Sequence, residues 1–261
     1  MSLVALNRKI RKAAAIIASG RLPWWRALAH GVAPSLEHAQ PLRALRPHTV
    51  LDIGAHRGQF MLLARALWPE AQIHSFEPQQ EPRRTLSTLG ATDKRWHLHA
   101  YALGDQRRST QIHVAGRDDS SSLLPSTPRQ HAAFPGTETT GSETVEEIPL
   151  DELLSAPKLI APVLMKIDVQ GYELAVLRGA QKLLPAVRWV YIECSDAELY
   201  QGQATTSEVL GWLSCEGFVL RNGFNEVRAG NGTRLQADYL LERSLQDFVT
   251  PDSSPCKPCT L

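Results

Sequence analysis

The chain has 261 residues, enough for one well-buried domain with extensions and short for two of full size. Apolar residues make up 43% and charged residues 21%, and a formal charge of +1 gives no global case for a nucleic acid or an acidic partner. No apolar run approaches the roughly 18 residues of a membrane span, and the first residues lack the apolar core and cleavage site of a secretory signal, so the expected location is the cytoplasm.

In chain order, residues 1–44 read as a basic, helical extension. Between Met1 and Arg26 there are six basic residues and no acidic one, and Leu3, Leu6, Ile10, Ala13, Ala14 and Ile17 recur at helical spacing. Two readings stay open for a helix over 3–19: peripheral contact with the inner face of a membrane, or packing on the core or on a second copy in a homo-oligomer. The small, alanine-rich apolar face favours packing. Residues 20–44, with Pro23, Trp24, Trp25, Pro34 and Pro41, read as a connector with a short helix near Leu42–Leu45.

From Thr49 short apolar runs alternate with helical patterns, the signature of an α/β domain with a mainly parallel sheet, here expected over 45–245. Strands are predicted at 49–53, 72–76, 97–101, 163–169, 188–193, 218–221 and 238–241, and helices at 59–67, 80–89, 172–184 and 206–215. The stretch 105–147 opens with the strand-like TQIHVA and then runs through Ser, Thr, Gly and Pro. It is predicted to be a loop-rich insertion folding over a ligand site. Residues 246–261 read as a flexible tail, whose PCKPC lacks the following helix of a redox motif and the second ligand pair of a zinc site. Cys194 and Cys215 are expected to be buried thiols.

In VLDIGAHRGQF an apolar strand ends in Asp52, and a turn with Gly54 and Gly58 leads into a helix. Glycines let a ligand approach the backbone, and helix-terminal N–H groups face it. The GxxxG spacing is not the GxGxxG that cradles a pyrophosphate, which disfavours a dinucleotide. The next strand ends in SFEP with Glu77, 25 residues after Asp52, placed to accept hydrogen bonds from both hydroxyls of an unphosphorylated ribose. A ribose without a pyrophosphate cradle points to S-adenosyl-L-methionine, whose amino group Asp52 would help to hold. A third landmark, MKIDVQGYE, delivers Asp168 to a strand tip, and VYIEC delivers Glu193 to its neighbour.

The ordered set LDIGAHRGQF, SFEP, ALGD, SSSL, PLDEL, KIDVQGYELAVLRGA and YIE resembles the FkbM-type methyltransferase family over roughly residues 48–242. The resemblance implies a class I methyltransferase fold: a Rossmann-like three-layer sandwich whose seven-stranded, mostly parallel sheet has an antiparallel last strand. It implies an S-adenosylmethionine-dependent O-methyltransferase acting on a hydroxyl of a sugar, glycan or secondary metabolite. It also places Leu103 and Asp105 beside the adenine. Two positions depart from the frequent pattern: GAH through His56 and KIDVQG through Gln170.

An alcohol is a weak nucleophile, so a base or a metal is expected at the reacting centre. All nine histidines lie between His30 and His131, which leaves none on the Asp168 and Glu193 side of the sheet. Those two carboxylates then serve as base, or as ligands of a Mg²⁺ with water. His56, in the turn itself, is a further site residue, with a local hydrogen bond as its simpler role. His97 and His99 are expected to pack on a helix, and Ser121 and Ser122 to border the acceptor. The competing classes are a non-catalytic cofactor-binding scaffold and a NAD-dependent oxidoreductase. Nucleic acid is not expected as a partner, because the core shows no basic stripe with interleaved aromatics.

Overall fold

A computed structural model describes residues 22–244; the helix expected over 3–19 and the PCKPC segment lie outside these residues. The connector folds as α1 (Leu22–Ala29), a 3₁₀ turn over Leu36–His38 and α2 (Ala39–Leu42), so the helix expected near 42–45 sits earlier. Trp24 is the reason for α1: its ring is buried and its indole N–H donates to the carbonyl of Leu62 at 3.2 Å.

Next come β1 (Thr49–Ile53), α3 (Gln59–Leu67), β2 (Gln72–Phe76), α4 (Gln80–Gly90) and β3 (Trp96–His99). A second, small sheet is formed by β4 (Ala102–Leu103), β5 (Arg108–Ala115) and β6 (Thr139–Ile148), with α5 (Pro128–Ala133) between the last two. The chain returns to the main sheet through α6 (Leu150–Leu153), β7 (Val163–Ile167), α7 (Glu173–Arg178), β8 (Val187–Ser195), α8 (Thr206–Cys215), β9 (Phe218–Arg228) and β10 (Arg234–Arg243).

The main sheet runs β3-β2-β1-β7-β8-β10-β9. The pairs from β3 to β8 are parallel, and β10 is antiparallel to both its neighbours. Strand order reverses between β1 and β7, and in such sheets ligands bind in the crevice beyond the strand ends at that point. A central parallel strand must be apolar on both faces, and TVLDI is buried throughout. One face packs Leu51, Ile53 and Ile167 against Val176 and Leu177 of α7; the other packs Val50, Ile73 and Leu164 against Phe60 and Met61 of α3. No described helix is long and apolar enough to cross a membrane.

Residues 105–147 are more regular than their composition indicates. β5 and β6 pair over their whole length, yet β6 (TTGSETVEEI) buries apolar side chains only at Val145 and Ile148, so it carries too weak an alternation to read as a strand. The helix expected over 172–184 ends at Arg178, because both oxygens of Asp151 accept the N–H groups of Lys182 and Leu183 at 2.9 and 3.0 Å and turn the chain. Cys194 is buried, whereas Cys215 is exposed: α8 turns Val209 and Leu213 inward, and Cys215 lies off that stripe. His97 and His99 stack on His74 of the adjacent strand, with centroids 4.7 and 5.3 Å away. Burial first, then those two rings, depresses the His74 pKa to about 4 and keeps it neutral.

Candidate active site

A cavity of about 340 Å³ opens beyond the tips of β1, β2 and β7. Its floor is the turn after β1. Gly54 has φ +76°, and a Cβ there would come within 1.9 Å of the Asp168 carbonyl oxygen, so the turns after β1 and β7 touch only because residue 54 is glycine. Gly58 starts α3 and packs against Leu86 instead of bordering the cavity.

Glu77 borders the cavity from β2 and is buried. Its Oε2 accepts the backbone N–H of His56 and its Oε1 that of Gln79, both at 2.8 Å. Each oxygen keeps a second lone pair. Burial raises the Glu77 pKa, and the two backbone N–H groups work against that rise. Tyr101, Ala102 and Leu103 form an apolar wall of the same cavity, while Asp105 is exposed and does not border it.

Asp168 borders the cavity at the tip of β7, and Glu193 stands on the next strand. One amide joins them: Gln170 Nε2 donates to Asp168 Oδ1 at 2.9 Å and to Glu193 Oε2 at 3.1 Å. The other oxygen of Glu193 accepts from Gln236 Nε2 at 2.9 Å. Burial, followed by the charges of Asp168 and Asp238, pushes the Glu193 pKa well above the carboxylate range.

The chain matches the model of the methyltransferase FkbM domain over residues 52–224. The 2-O-methyltransferase NoeI of Sinorhizobium fredii is 31% identical over 173 residues, 63% of this chain and 70% of that protein. This chain belongs to the FkbM methyltransferase family. A second relative, the hexuronic acid methyltransferase AglP of Haloferax volcanii, is 40% identical over 55 residues, 21% of this chain and 23% of that protein. Among solved structures, the precorrin-6y C5,15-methyltransferase of Geobacter metallireducens aligns with a TM-score of 0.44 at 13% identity, over 82% of this chain and 92% of that one.

Lys166 is a residue of this methyltransferase that motif reading passed over. It interrupts the apolar strand VLMKI, and a lysine inside a buried parallel strand is itself a signal. Its ammonium lies 3.0 Å from the Gly54 carbonyl, 3.5 Å from Asp52 Oδ1 and 3.6 Å from Asp168 Oδ2, and it borders the cavity. Burial opposes its charge, but Asp168 and Asp52 outweigh burial and raise its pKa. Asp52 is fully buried and reaches the cavity only through this lysine. Burial also raises the Asp52 pKa, against the pull of Lys166.

The segment between β5 and β6 covers the methyltransferase cavity. Arg57 donates to Asp118 Oδ2 through Nε at 2.9 Å and Nη2 at 2.6 Å, and His56 Nε2 lies 3.3 Å from Asp118 Oδ1. These contacts, the His56 one foremost, hold the Asp118 carboxyl well below the usual range. His56 is thus tied to the cover as well as to Gln59, whose amide lies 3.1 Å from Nδ1. Ser121 and Ser122 border the cavity, but their hydroxyls donate to the carbonyls of Asp118 and Gln170 at 2.9 and 2.7 Å.

One expectation about this site is overturned. His38 borders the cavity and packs on Tyr191 and Asp238, on the β8 and β10 side, where the linear distribution of histidines predicts none. The connector before β1 folds back across those strands, a path that no local motif encodes.

Proposed function

We propose that this methyltransferase transfers the methyl group of S-adenosyl-L-methionine to a hydroxyl of a sugar or glycan. The observation that carries the donor is Glu77: a buried carboxylate with both oxygens anchored on backbone N–H groups and lone pairs left over suits the two hydroxyls of a ribose. The apolar wall at Leu103 suits a purine. When bound, the donor supplies a methyl group already activated by its positive sulfur.

The acceptor class comes from the relatives, one named for 2-O-methylation and one for hexuronic acid. Asp168 would accept a hydrogen bond from the acceptor and fix its orientation, and orientation alone is worth about 7–11 kcal/mol when the geometry is near-attack. Glu193 and Gln170 would hold Asp168 in place. Asp168 and Glu193 are the residues that would hold a Mg²⁺, and the Gln170 amide already donates to both of them, so no step is routed through a metal here.

Calorimetric titration with S-adenosylmethionine, S-adenosylhomocysteine and NAD, with and without Mg²⁺, tests the donor. Mass spectrometry of methyl glycosides and uronosides incubated with enzyme and donor then tests the acceptor. Binding of the two sulfur compounds alone, followed by a gain of one methyl on an oxygen, is the expected result. Binding of NAD alone would replace this reading with the oxidoreductase one.

A further inference from the structure

The side chains facing the cavity follow the register of the sheet. Asp52 is the partner of Ser75 on β2 and of Lys166 on β7, and Lys166 is the partner of Tyr191 on β8. Two residues farther along each strand path come Glu77, Gly54, Asp168 and Glu193 on the same side, and Asp238 of β10 is the partner of Glu193. The row therefore begins with the carboxylate suited to a ribose and ends at Asp238, with Asp168 between. A methyl acceptor belongs beyond the donor, at the Asp238 end, where Ser35, Glu37 and His38 of the connector border the cavity, His38 being the one whose ring contacts Asp238.

His38 is held by one edge. Its Nδ1 lies 3.2 Å from Asp238 Oδ2 and 3.0 Å from the Tyr191 hydroxyl. Tyr191 donates its own proton to Asp238 at 2.9 Å, and the Asn225 amide donates to the same oxygen at 2.6 Å. The Asn225 amide nitrogen also lies 3.3 Å from Nδ1, but the Tyr191 and Asp238 oxygens are nearer, their intervening proton is committed to the carboxylate, and Nδ1 engages them by donating, so the charged carboxylate favours the Nδ1–H tautomer. The lone pair is then on Nε2, at the ring edge turned away from Asp238. Phe60 packs against the ring with a centroid distance of 6.1 Å and restricts its rotation.

The carboxylates nearer the centre already have their oxygens engaged. Both oxygens of Glu193 accept amide hydrogens, and the two oxygens of Asp168 face Gln170 and Lys166.

We propose that His38 is the general base of the transfer, taking the proton of the methylated hydroxyl on Nε2 while Asp238, Tyr191 and Asn225 position its ring. The proposal rests on the methyl-transfer reading above. As the bond from the acceptor oxygen to the methyl carbon forms, the sulfur–carbon bond breaks and its electron pair stays on sulfur. The hydroxyl proton passes to Nε2, and the imidazolium is stabilised by Asp238 until it releases the proton to water. The vicinal hydroxyls of a sugar allow Asp168 to hold one while His38 deprotonates the other.

The test has two arms. In long-range ¹H–¹⁵N spectra of the full chain, neutral His38 should show a protonated Nδ1 and a bare Nε2, and Asp238→Asn should shift the ring toward a mixture of tautomers. A neutral His38 protonated on Nε2 in the wild type would overturn the proposal. In the second arm, His38→Gln should lower kcat for the best glycoside acceptor by at least about 100-fold, with the affinity for S-adenosylhomocysteine within twofold of wild type. Retention of kcat within threefold by that variant also overturns it, and leaves the methyl-transfer reading standing. A wild-type chain that binds neither sulfur compound sinks the underlying reading instead.

Discussion

The Tyr200 hydroxyl donates a 2.8 Å hydrogen bond to Oε1 of Gln170, the side chain whose amide nitrogen spans Asp168 and Glu193. The same hydroxyl accepts from Gln130 Nε2 at 3.1 Å and lies 2.9 Å from the Ser120 carbonyl, so the cover of the cavity and its carboxylates share one phenol. Tyr200→Phe removes the group that tells Gln170 which way round to sit. A hydrogen bond of this kind contributes about 1 kcal/mol, so turnover should fall by up to about tenfold with unchanged affinity for S-adenosylhomocysteine. Unaltered turnover would show that the amide is oriented by the carboxylates alone.

Glu77→Ala should weaken binding of S-adenosylhomocysteine by about 100-fold or more, since each hydrogen bond to a charged acceptor is worth roughly 1.5–3 kcal/mol. The variant also strands the N–H groups of His56 and Gln79, so Glu77→Gln, which keeps one acceptor oxygen, is the companion. Calorimetry on folded samples checks both, and wild-type affinity in either removes the ribose role.

Asp168→Asn keeps the shape of the side chain and removes its charge. Lys166 retains Asp52 and the Gly54 carbonyl as partners, so the fold should survive. The expected outcome is a loss of turnover on the order of 100-fold with donor affinity nearly intact. A variant that turns over normally would take Asp168 out of the reaction.

Much of this was readable in the chain, for a physical reason. A buried parallel sheet demands short apolar runs and its ligand turn demands glycine, so TVLDI, Gly54 and the acids at 77, 168 and 193 announce themselves locally. What was hidden depends on contacts distant in sequence. His38 meets Asp238 across 200 residues of chain, and Tyr200 meets Gln170 from a loop without a motif. β6 was hidden for another reason, since a strand exposed over most of its length needs few apolar residues.

Glu173 offers a test in stability. Its Oε1 accepts the N–H groups of Val169 at 3.2 Å and Gly171 at 3.0 Å, and burial raises its pKa to about 7 from an ordinary 4.5. The folded state thus holds a proton that the unfolded chain has lost. Its contribution is fully present below about pH 4.5 and disappears as pH rises through about 7. At roughly 1.4 kcal/mol per unit, the change is on the order of 3 kcal/mol. Urea denaturation from pH 5 to 8 should show that decline in the wild type and a flatter curve in Glu173→Gln, whose amide still accepts both N–H groups. Parallel curves for the two proteins would show that Glu173 ionises normally in the fold.

The cover over the cavity is a hairpin inserted between β4 and α6, latched to the turn after β1 through Asp118 and to the turn after β7 through Ser122. The hairpin is anchored in the main core by Ile148 at its base, while around the cavity it meets the sheet tips through polar latches. Substitutions along the hairpin can reshape one wall while the glycine turn and Glu77 keep their places. A lineage built this way can change the molecule it modifies without having to reinvent how it holds the reagent.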